Sequence, residues 1–186
     1  MTPRKTRMKS ILYLIGYRGT GKTTVGQLLA KRIGWNFVDA DVHLEAKCGK
    51  TIKEIFDSEG ELSFRDSESA TLREVSSRER CVIATGGGIV LREENRNLLG
   101  TSGFVVWLMA DAKTLAERIQ ADSTTAARRP NLTVGGLAEV EDLLRIREPL
   151  YHECADLEID AAGTSPESIV ETILKEWNSR SPTFSG

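Results

Sequence analysis

Short apolar runs alternate with amphipathic stretches along most of this chain, and this alternation restricts the possible folds more than any other feature. Each run is short enough to be a fully buried central strand. The runs span Ile11–Ile15, Trp35–Val38, Cys81–Ala84, Phe104–Leu108 and Leu157–Ile159. Strands that alternate with helical patterns are typical of a parallel sheet covered by helices on both faces. The sequence therefore predicts an α/β fold of three layers.

The helical stretches carry recognisable start and stop signals. Apolar residues recur at helical spacing over Thr23–Ile33, and Gly34 follows as a stop. Thr51 and Glu54 form a capping box for a short helix, and Leu62–Val75 is predicted as a separate longer helix. The last helix is predicted to begin at Ser165-Pro166, because serine caps helices well and proline suits the first helical position.

Length and composition indicate one globular domain. The 186 residues suffice for one core, and no Pro/Gly-rich linker divides the chain. We expect residues 1–186 to form a single domain with loose tails at 1–7 and 178–186. Charged residues make up 28% and hydrophobic residues 40%, and the net charge of -2 gives no general reason to bind nucleic acid. Nucleic acid is therefore not an expected partner.

The expected location is the cytoplasm, without a membrane partner. The first apolar run, Ile11–Ile15, is too short for a signal sequence or a membrane span. The three cysteines, Cys48, Cys81 and Cys154, are scattered and lack metal-ligand spacing. An odd, scattered set of cysteines argues against a disulfide framework and favours a reducing compartment.

The segment Gly16–Thr23 carries the clearest chemical signal. It has a glycine, four further residues and then Gly-Lys-Thr, and it lies between a predicted strand and a predicted helix. This is the pattern of a P-loop, whose backbone N–H groups surround phosphate oxygens at a helix N-terminus. Lys22 would reach the β- and γ-phosphates, and the Thr23 hydroxyl would be a ligand of Mg²⁺. An ordinary glycine-rich turn is the competing interpretation.

A P-loop indicates a nucleotide but not a reaction, so the acceptor side has to be found elsewhere. Asp39 and Asp41 follow the second predicted strand, on one side of an extended segment or splayed apart if the chain turns. We predict that Asp39 faces the water shell of the metal, while Asp41 orients or deprotonates an acceptor hydroxyl. Either aspartate could instead cap the helix that follows.

Two further motifs suit an anionic acceptor. Arg65 and Glu68 are three apart on one predicted helix, where an ion pair would orient the guanidinium toward a carboxylate, unless the pair is simply solvated. Gly86, Gly87 and Gly88 follow the strand Cys81–Ala84, at an edge where open α/β sheets bind ligands. A tight turn without a ligand is the alternative for the glycines.

Arginines in the second half of the chain are candidates for closing the site. Residues 121–136 are rich in small polar residues around Arg129, which favours a lid whose arginine stabilises transferred phosphoryl charge. An exposed basic loop is the simpler alternative. Arg147 begins Arg-Glu-Pro-Leu-Tyr near a helix end and is a second candidate for a substrate carboxylate, or a helix-end cation favoured by the dipole.

Taken in order, these motifs resemble those of shikimate kinases. The resemblance extends over about Ile11–Trp177 and includes the glycine triplet, Arg129-Pro130 and the Arg-Glu-Pro-Leu-Tyr segment. It implies a P-loop kinase fold similar to nucleoside monophosphate kinases, with a five-stranded parallel sheet in the order 2-3-1-4-5. The implied reaction is ATP plus shikimate giving ADP and shikimate 3-phosphate, a step toward chorismate and the aromatic amino acids. A monomer is expected.

The same resemblance implies roles for individual residues. Residues from about 40 to 75 would form the substrate-binding segment. Asp41, Arg65, Gly86, Gly87, Gly88 and Arg147 would bind shikimate; Gly19, Thr20, Gly21, Lys22, Thr23, Thr24, Arg118, Arg129 and Pro166 would bind ATP; Lys22, Asp41 and Arg129 would be catalytic. Thr23, with Asp39 through water, would hold Mg²⁺. Some family members carry a basic residue just before the position of Pro166, where this chain has Thr164-Ser165.

Two other functions remain open at this point. A related P-loop kinase for gluconate or another polyol would keep Lys22 but would not need Arg65 and Arg147 for a carboxylate. A catalytically idle nucleotide-binding module would bind ATP without turnover. Tests of candidate acceptors separate the first from a shikimate kinase, and ATP turnover separates the second.

Overall fold

The computed structural model describes residues 10–122 and 135–180. Its centre is a parallel sheet of five strands in the order β2-β3-β1-β4-β5. The strands are β1 (Ile11–Ile15), β2 (Asn36–Asp39), β3 (Cys81–Ala84), β4 (Phe104–Met109) and β5 (Leu157–Asp160). The predicted sheet and its order are confirmed. The bounds of β1 and β3 match the prediction, whereas β2 lies one residue later and β4 and β5 each end one residue later.

Seven α-helices are described around the sheet in these two ranges. They are α1 (Lys22–Ile33), α2 (Ala40–Cys48), α3 (Ile52–Val75), α4 (Glu93–Ser102), α5 (Ala112–Ala121), α6 (Gly136–Cys154) and α7 (Pro166–Arg180), with a short 3₁₀ turn at Ile89–Leu91. Helix α1 ends at Gly34, whose φ of 68° is left-handed, as expected of a glycine stop. The Ser165 hydroxyl accepts a hydrogen bond from the Ser168 amide, so the predicted start of α7 is confirmed.

The central strand β1 is buried on both faces. Ile11, Tyr13 and Ile15 pack with residues of α3, α4 and α6, while Leu12 and Leu14 pack with residues of α1 and α7. Successive side chains of a strand point to opposite faces, so a run of five apolar residues supplies both cores. The result is the predicted three-layer arrangement.

The two helices predicted around Thr51 and over Leu62–Val75 are one element with a kink. The capping box at Thr51 is present, and Gly60 interrupts α3 with a φ of 84°. Glycine adopts this left-handed conformation without a Cβ clash, so the chain bends there and continues as a helix. Phe56 and Phe64 stack across the bend with ring centroids 4.7 Å apart.

The ends of the chain differ in part from expectation. The predicted loose tail from residue 178 is wrong for its first three residues, since α7 continues to Arg180. There the Arg180 guanidinium donates to Glu176 at 2.9 Å and lies over the ring of Phe104 at 5.5 Å. The predicted segment 121–136 begins in α5 and ends in α6, but residues 123–134, including Arg129, lie outside the described residues. No helix within the described ranges is long and apolar enough to cross a membrane.

Candidate active site

The P-loop links the end of β1 to the start of α1. Gly16, Gly19 and Gly21 have φ values of 135°, 85° and 89°, a region that other residues rarely adopt. A Cβ on Gly16 would also lie 2.4 Å from the carbonyl oxygen of Leu108. Glycine is therefore required at Gly16 both for conformation and for space. Gly21 precedes the first residue of α1, so the loop presents the amides of a helix N-terminus.

Lys22 is buried within this loop. Its Nζ donates to the carbonyl oxygens of Gly16 and Tyr17, each at 2.8 Å. Thr20 is also buried, and its hydroxyl donates to the same Tyr17 carbonyl at 2.9 Å. These bonds hold the ammonium group against the loop that follows β1. That Lys22 reaches the β- and γ-phosphates stays a prediction.

The carboxylate of Asp39 has two roles. One oxygen, Oδ1, caps α2 by accepting from the amides of Asp41 at 3.1 Å and Val42 at 3.3 Å. The other, Oδ2, accepts from the Thr23 hydroxyl at 2.9 Å. The helix-capping interpretation is thus correct for Asp39, and it leaves the second oxygen beside the P-loop threonine.

This oxygen pair fits the chemistry of magnesium. Mg²⁺ prefers oxygen ligands and keeps several waters, so the Thr23 hydroxyl and a carboxylate at the end of the next strand are suitable donors. In residues 10–122 and 135–180 there is no group of three or more His, Cys, Asp or Glu side chains arranged to hold a metal. Here Thr23 and Asp39 are the side chains that suit the ion predicted from the P-loop.

A wide cleft runs along the P-loop. It is lined by Arg18, Gly19, Gly21, Lys22, Thr23, Thr24, Asp39, Asp41, Val42, Glu45, Ile52, Ala84, Thr85, Arg118 and Asp122. Most of the predicted ATP-binding residues are therefore brought together. Two predicted residues are not part of the described cleft lining. Thr20 is buried within the P-loop, and Pro166 is the first residue of α7.

Arg118 links this cleft to the loop after β5. Its Nη1 donates to the Gly19 carbonyl at 3.2 Å and its Nη2 donates to the Ala161 carbonyl at 3.1 Å. Ala161 lies shortly before Pro166 in the chain. Arg118 thus joins the P-loop to the loop between β5 and α7. Pro166, the other residue predicted to contact adenine, follows that loop.

A smaller pocket adjoins the cleft, and Arg65 lies in its wall. Its Nη1 donates to Glu68 Oε2 at 2.8 Å, and its Nη2 lies 3.2 Å from Glu61 Oε1. The side chains of Arg65 and Glu68 are only 9% and 6% exposed, so the pair is buried rather than solvated. Burial raises the pKa of Glu68, and the adjacent Arg65 opposes this effect.

The three glycines after β3 leave room for the charged groups of this pocket. A Cβ on Gly86 would lie 2.8 Å from Asp41 Oδ1 and 2.9 Å from Glu68 Oε1. A Cβ on Gly88 would lie 2.1 Å from Arg65 Nη1. Close packing of charged side chains against bare backbone therefore explains two of the three glycines, and a simple tight turn does not.

Arg147 reaches the same pocket from α6. It is buried, and its Nε makes no hydrogen bond to any described residue. Its guanidinium lies over the ring of Tyr17, 5.5 Å from the ring centroid. Nearby, the Tyr151 hydroxyl donates to the Gly87 carbonyl, and burial raises the pKa of that tyrosine. Arg147 is therefore buried in the pocket, and it lies before the last turn of α6, which ends at Cys154.

The pocket and the cleft share a wall. The pocket is lined by Tyr17, Arg18, Asp41, Ile52, Phe56, Phe64, Arg65, Glu68, Gly86, Gly87, Gly88, Glu139 and Arg147. Arg18, Asp41 and Ile52 line both spaces. Asp41, which is buried in the first turn of α2, therefore lies at the boundary between the two spaces.

Sequence reasoning missed several residues of the pocket. Tyr17 and Arg18 occupy positions that the P-loop pattern leaves unspecified, and no role was predicted for Phe56 or Phe64. Glu139 is 1% exposed and accepts from the Gly135 amide at 3.0 Å, with Arg18 Nη2 at 3.5 Å. Of these residues, Tyr17 alone could have been recognised from the sequence, because a large aromatic residue is unusual inside a glycine-rich loop.

A P-loop cleft that opens into a small pocket with two buried arginines and an aspartate defines a small-molecule kinase of the P-loop class. Residues 18–178 match the family model described as shikimate kinase. The chain belongs to the shikimate kinase family.

Similar proteins agree with this assignment. The chain is 48% identical over 165 residues to a shikimate kinase of Rhodopirellula baltica, covering 88% of each chain. It is 45% identical to one of Thermodesulfovibrio yellowstonii, covering 91% of this chain and 95% of the relative. A solved shikimate kinase of Acinetobacter baumannii in complex with shikimate superposes with a TM-score of 0.86 at 38% identity, covering 92% of this chain and 94% of that one.

Proposed function

We propose that this protein transfers the γ-phosphoryl group of ATP to the 3-hydroxyl of shikimate, giving shikimate 3-phosphate and ADP. The product lies on the route to chorismate and the aromatic amino acids. The observation that carries the proposal is the convergence of Arg65 from α3 and Arg147 from α6 on the pocket that also contains Asp41. Two buried cations suit a substrate with a single carboxylate.

In the proposed complex Arg65 and Arg147 hold the shikimate carboxylate at the closed end of the pocket. Guanidinium groups offer planar pairs of N–H donors that match a carboxylate. Gly86, Gly87 and Gly88 let the ring lie against backbone. The hydroxyl to be phosphorylated then faces Asp41, which lies in both the pocket and the cleft.

For the chemical step, Asp41 orients the hydroxyl and accepts its proton as the oxygen attacks the γ-phosphorus. Lys22 and Arg129 neutralise charge on the transferred group, and Arg129 lies in the proposed lid outside the described residues. Thr23, with Asp39 through water, would hold Mg²⁺. The ion would supply positive charge that offsets the negative charge of the phosphates. Gly19, Gly21 and Thr24 complete the phosphate contacts, and Arg118 and Pro166 flank the adenine.

A coupled assay of ADP release tests this function. Purified enzyme is supplied with ATP and Mg²⁺, with and without shikimate, and Lys22→Ala serves as the inactive control. We expect ADP release that depends on shikimate and on Mg²⁺ and that is lost in the variant. Equal or greater stimulation by gluconate would show that shikimate is not the preferred acceptor. ATP binding without turnover on any hydroxylated acid would show that the protein is not a kinase.

We further propose that the enzyme acts as a monomer in the cytoplasm, with no nucleic acid or membrane partner. Among the described residues, a single chain supplies the lining of both the pocket and the cleft, which supports a monomer. Light scattering coupled to gel filtration should give a mass near the 20.5 kDa of one chain. A stable dimer at assay concentrations, or activity recovered in a membrane fraction, would contradict this part of the proposal.

A further inference from the structure

We propose that Tyr17 is a positioning residue, whose ring holds the Arg147 guanidinium in the orientation that receives the substrate carboxylate. The inference rests on the proposed function. Tyr17 is 2% exposed and lines the acceptor pocket together with Arg147. The P-loop pattern itself places no requirement on this position.

The two arginines of the pocket differ in the groups that hold them. Arg65 is held by carboxylates, at 2.8 Å from Glu68 and 3.2 Å from Glu61. Arg147 has no carboxylate within ion-pair distance among the described residues, and its buried Nε is without a hydrogen bond there. Its guanidinium lies beside the neutral Tyr151 hydroxyl and over the Tyr17 ring, 5.5 Å from the ring centroid.

The chemistry of that contact explains why it suits a binding arginine. An aromatic ring carries no carboxylate to accept the guanidinium N–H groups, so a ring contact leaves those donors for a substrate carboxylate. A protein carboxylate takes up some of the donors, as Glu61 and Glu68 do at Arg65. A cation–π contact therefore orients the charge without neutralising it, and it is stronger in a desolvated site.

The position of Tyr17 is itself fixed. Its ring packs in a cluster with Ala110, Leu115, Val140 and Leu144, which come from the end of β4, α5 and α6. Val140, Leu144 and Arg147 recur at helical spacing, so they lie on one face of α6. The ring is thus seated on the helix face that carries the arginine.

Tyr17 also contacts the nucleotide side through its backbone. Its carbonyl accepts from Lys22 Nζ at 2.8 Å, while its side chain supports Arg147. One residue of the P-loop therefore sets the position of a phosphate-binding cation and of a carboxylate-binding cation. Changing the side chain should affect the second function and leave the first.

The test compares Tyr17→Leu with the conservative Tyr17→Phe in steady-state kinetics. We expect Tyr17→Leu to raise the KM for shikimate roughly 2- to 30-fold, the range of one partly or fully desolvated cation–π contact, without changing the KM for ATP. Tyr17→Phe keeps the ring and should restore the wild-type KM. Ile173→Ala truncates a buried residue of α7 in a different core cluster and should lower the Tm without raising the KM for shikimate.

Three kinetic results would overturn the inference. The first is an unchanged KM for shikimate in Tyr17→Leu. The second is an equal rise of this KM in Tyr17→Phe, which would assign the effect to the Tyr17 hydroxyl beside Arg18. The third is a parallel rise of both KM values in step with a lower Tm, which would indicate general loss of packing. Wild-type turnover of shikimate tests the proposed function separately.

A measurement without substrate keeps the two proposals distinguishable. The Nε–H resonance of Arg147, assigned by its loss in Arg147→Lys, reports the mobility of the guanidinium by ¹⁵N relaxation. We expect a rigid signal in wild type and Tyr17→Phe and a mobile one in Tyr17→Leu. Equal rigidity in all three proteins would refute the positioning role, whatever acceptor the enzyme uses.

Discussion

Substitution of Gly88 by alanine separates substrate binding from folding. Gly88 has φ and ψ of -92° and 2°, which an alanine can adopt, so the backbone itself does not oppose the change. The added Cβ, however, would lie 2.1 Å from Arg65 Nη1 and 2.6 Å from its Cζ. The obstacle is the far end of a side chain, which moves at little cost to the fold. We therefore expect a folded protein with a displaced arginine.

The size of the effect follows from this geometry. To restore an ordinary contact of 3.4 Å, the guanidinium must move by about 1.3 Å from its present 2.1 Å. Such a shift breaks the alignment needed for a charge-assisted hydrogen bond to a carboxylate, worth about 1.5–3 kcal/mol. The expected rise in the KM for shikimate is roughly 10- to 150-fold. The KM for ATP should not change, because Gly88 lies outside the described lining of the P-loop cleft.

Coupled kinetics and thermal unfolding of Gly88→Ala check this prediction. Gly100→Ala is the matched control, since a Cβ at Gly100 in α4 would meet no atom within 4 Å. That control should keep both KM values and should be as stable as wild type or slightly more so. An unchanged KM for shikimate in Gly88→Ala would show that the position of Arg65 does not govern acceptor binding.

Three further changes test other parts of the site and fold. Asp41→Asn should lower kcat about 10²- to 10⁴-fold in the coupled assay with little change in Tm, and near-normal turnover would exclude it as the base. Burial raises the pKa of Glu68, so this side chain should become protonated at a higher pH than an exposed glutamate would. Protonation removes its ion pair with Arg65 and should raise the KM for shikimate. Glu68→Gln should abolish this pH response. The pKa of Glu68 is higher in the folded protein than in the unfolded chain. Its contribution to the unfolding free energy is therefore fully present below the ordinary glutamate pKa and is lost as pH rises through the raised value. Denaturation of wild type and Glu68→Gln at several pH values should show this loss in wild type only. Gly26→Ala would place a Cβ 2.4 Å from the Phe37 ring beneath α1, so it should cost about 1–3 kcal/mol in denaturant unfolding, and stability equal to wild type would contradict this packing.

Local patterns in the sequence predicted most of the fold. Buried parallel strands are apolar on both faces, so continuous runs such as Cys81–Ala84 mark them almost residue by residue. Strand ends depend on pairing with neighbours, which explains why β4 and β5 extend one residue further, to Met109 and Asp160, both paired in the sheet. The bend at Gly60 was missed because a glycine within a helical pattern does not reveal its φ.

Local reasoning was weakest where a residue had two possible roles. Asp39 was expected to serve the metal or to cap a helix; one of its oxygens caps α2, and the other accepts from the Thr23 hydroxyl. The pair of Arg65 and Glu68 looked most like a solvated helix pair, yet both side chains are buried. Burial of a charged pair depends on what packs over it, and neighbours along the chain do not contain that information.

The sequence by itself determined the alternation of strands and helices, the P-loop after β1 and the identity of the charged residues around it. These features depend on short-range periodicity and on glycines that a phosphate-binding loop requires. The tertiary structure decided which charges meet: it brings Arg65 and Arg147 from helices far apart in the chain to one pocket, and it places Tyr17 against Arg147. Such contacts depend on how helices pack across the sheet, and no local pattern records that packing.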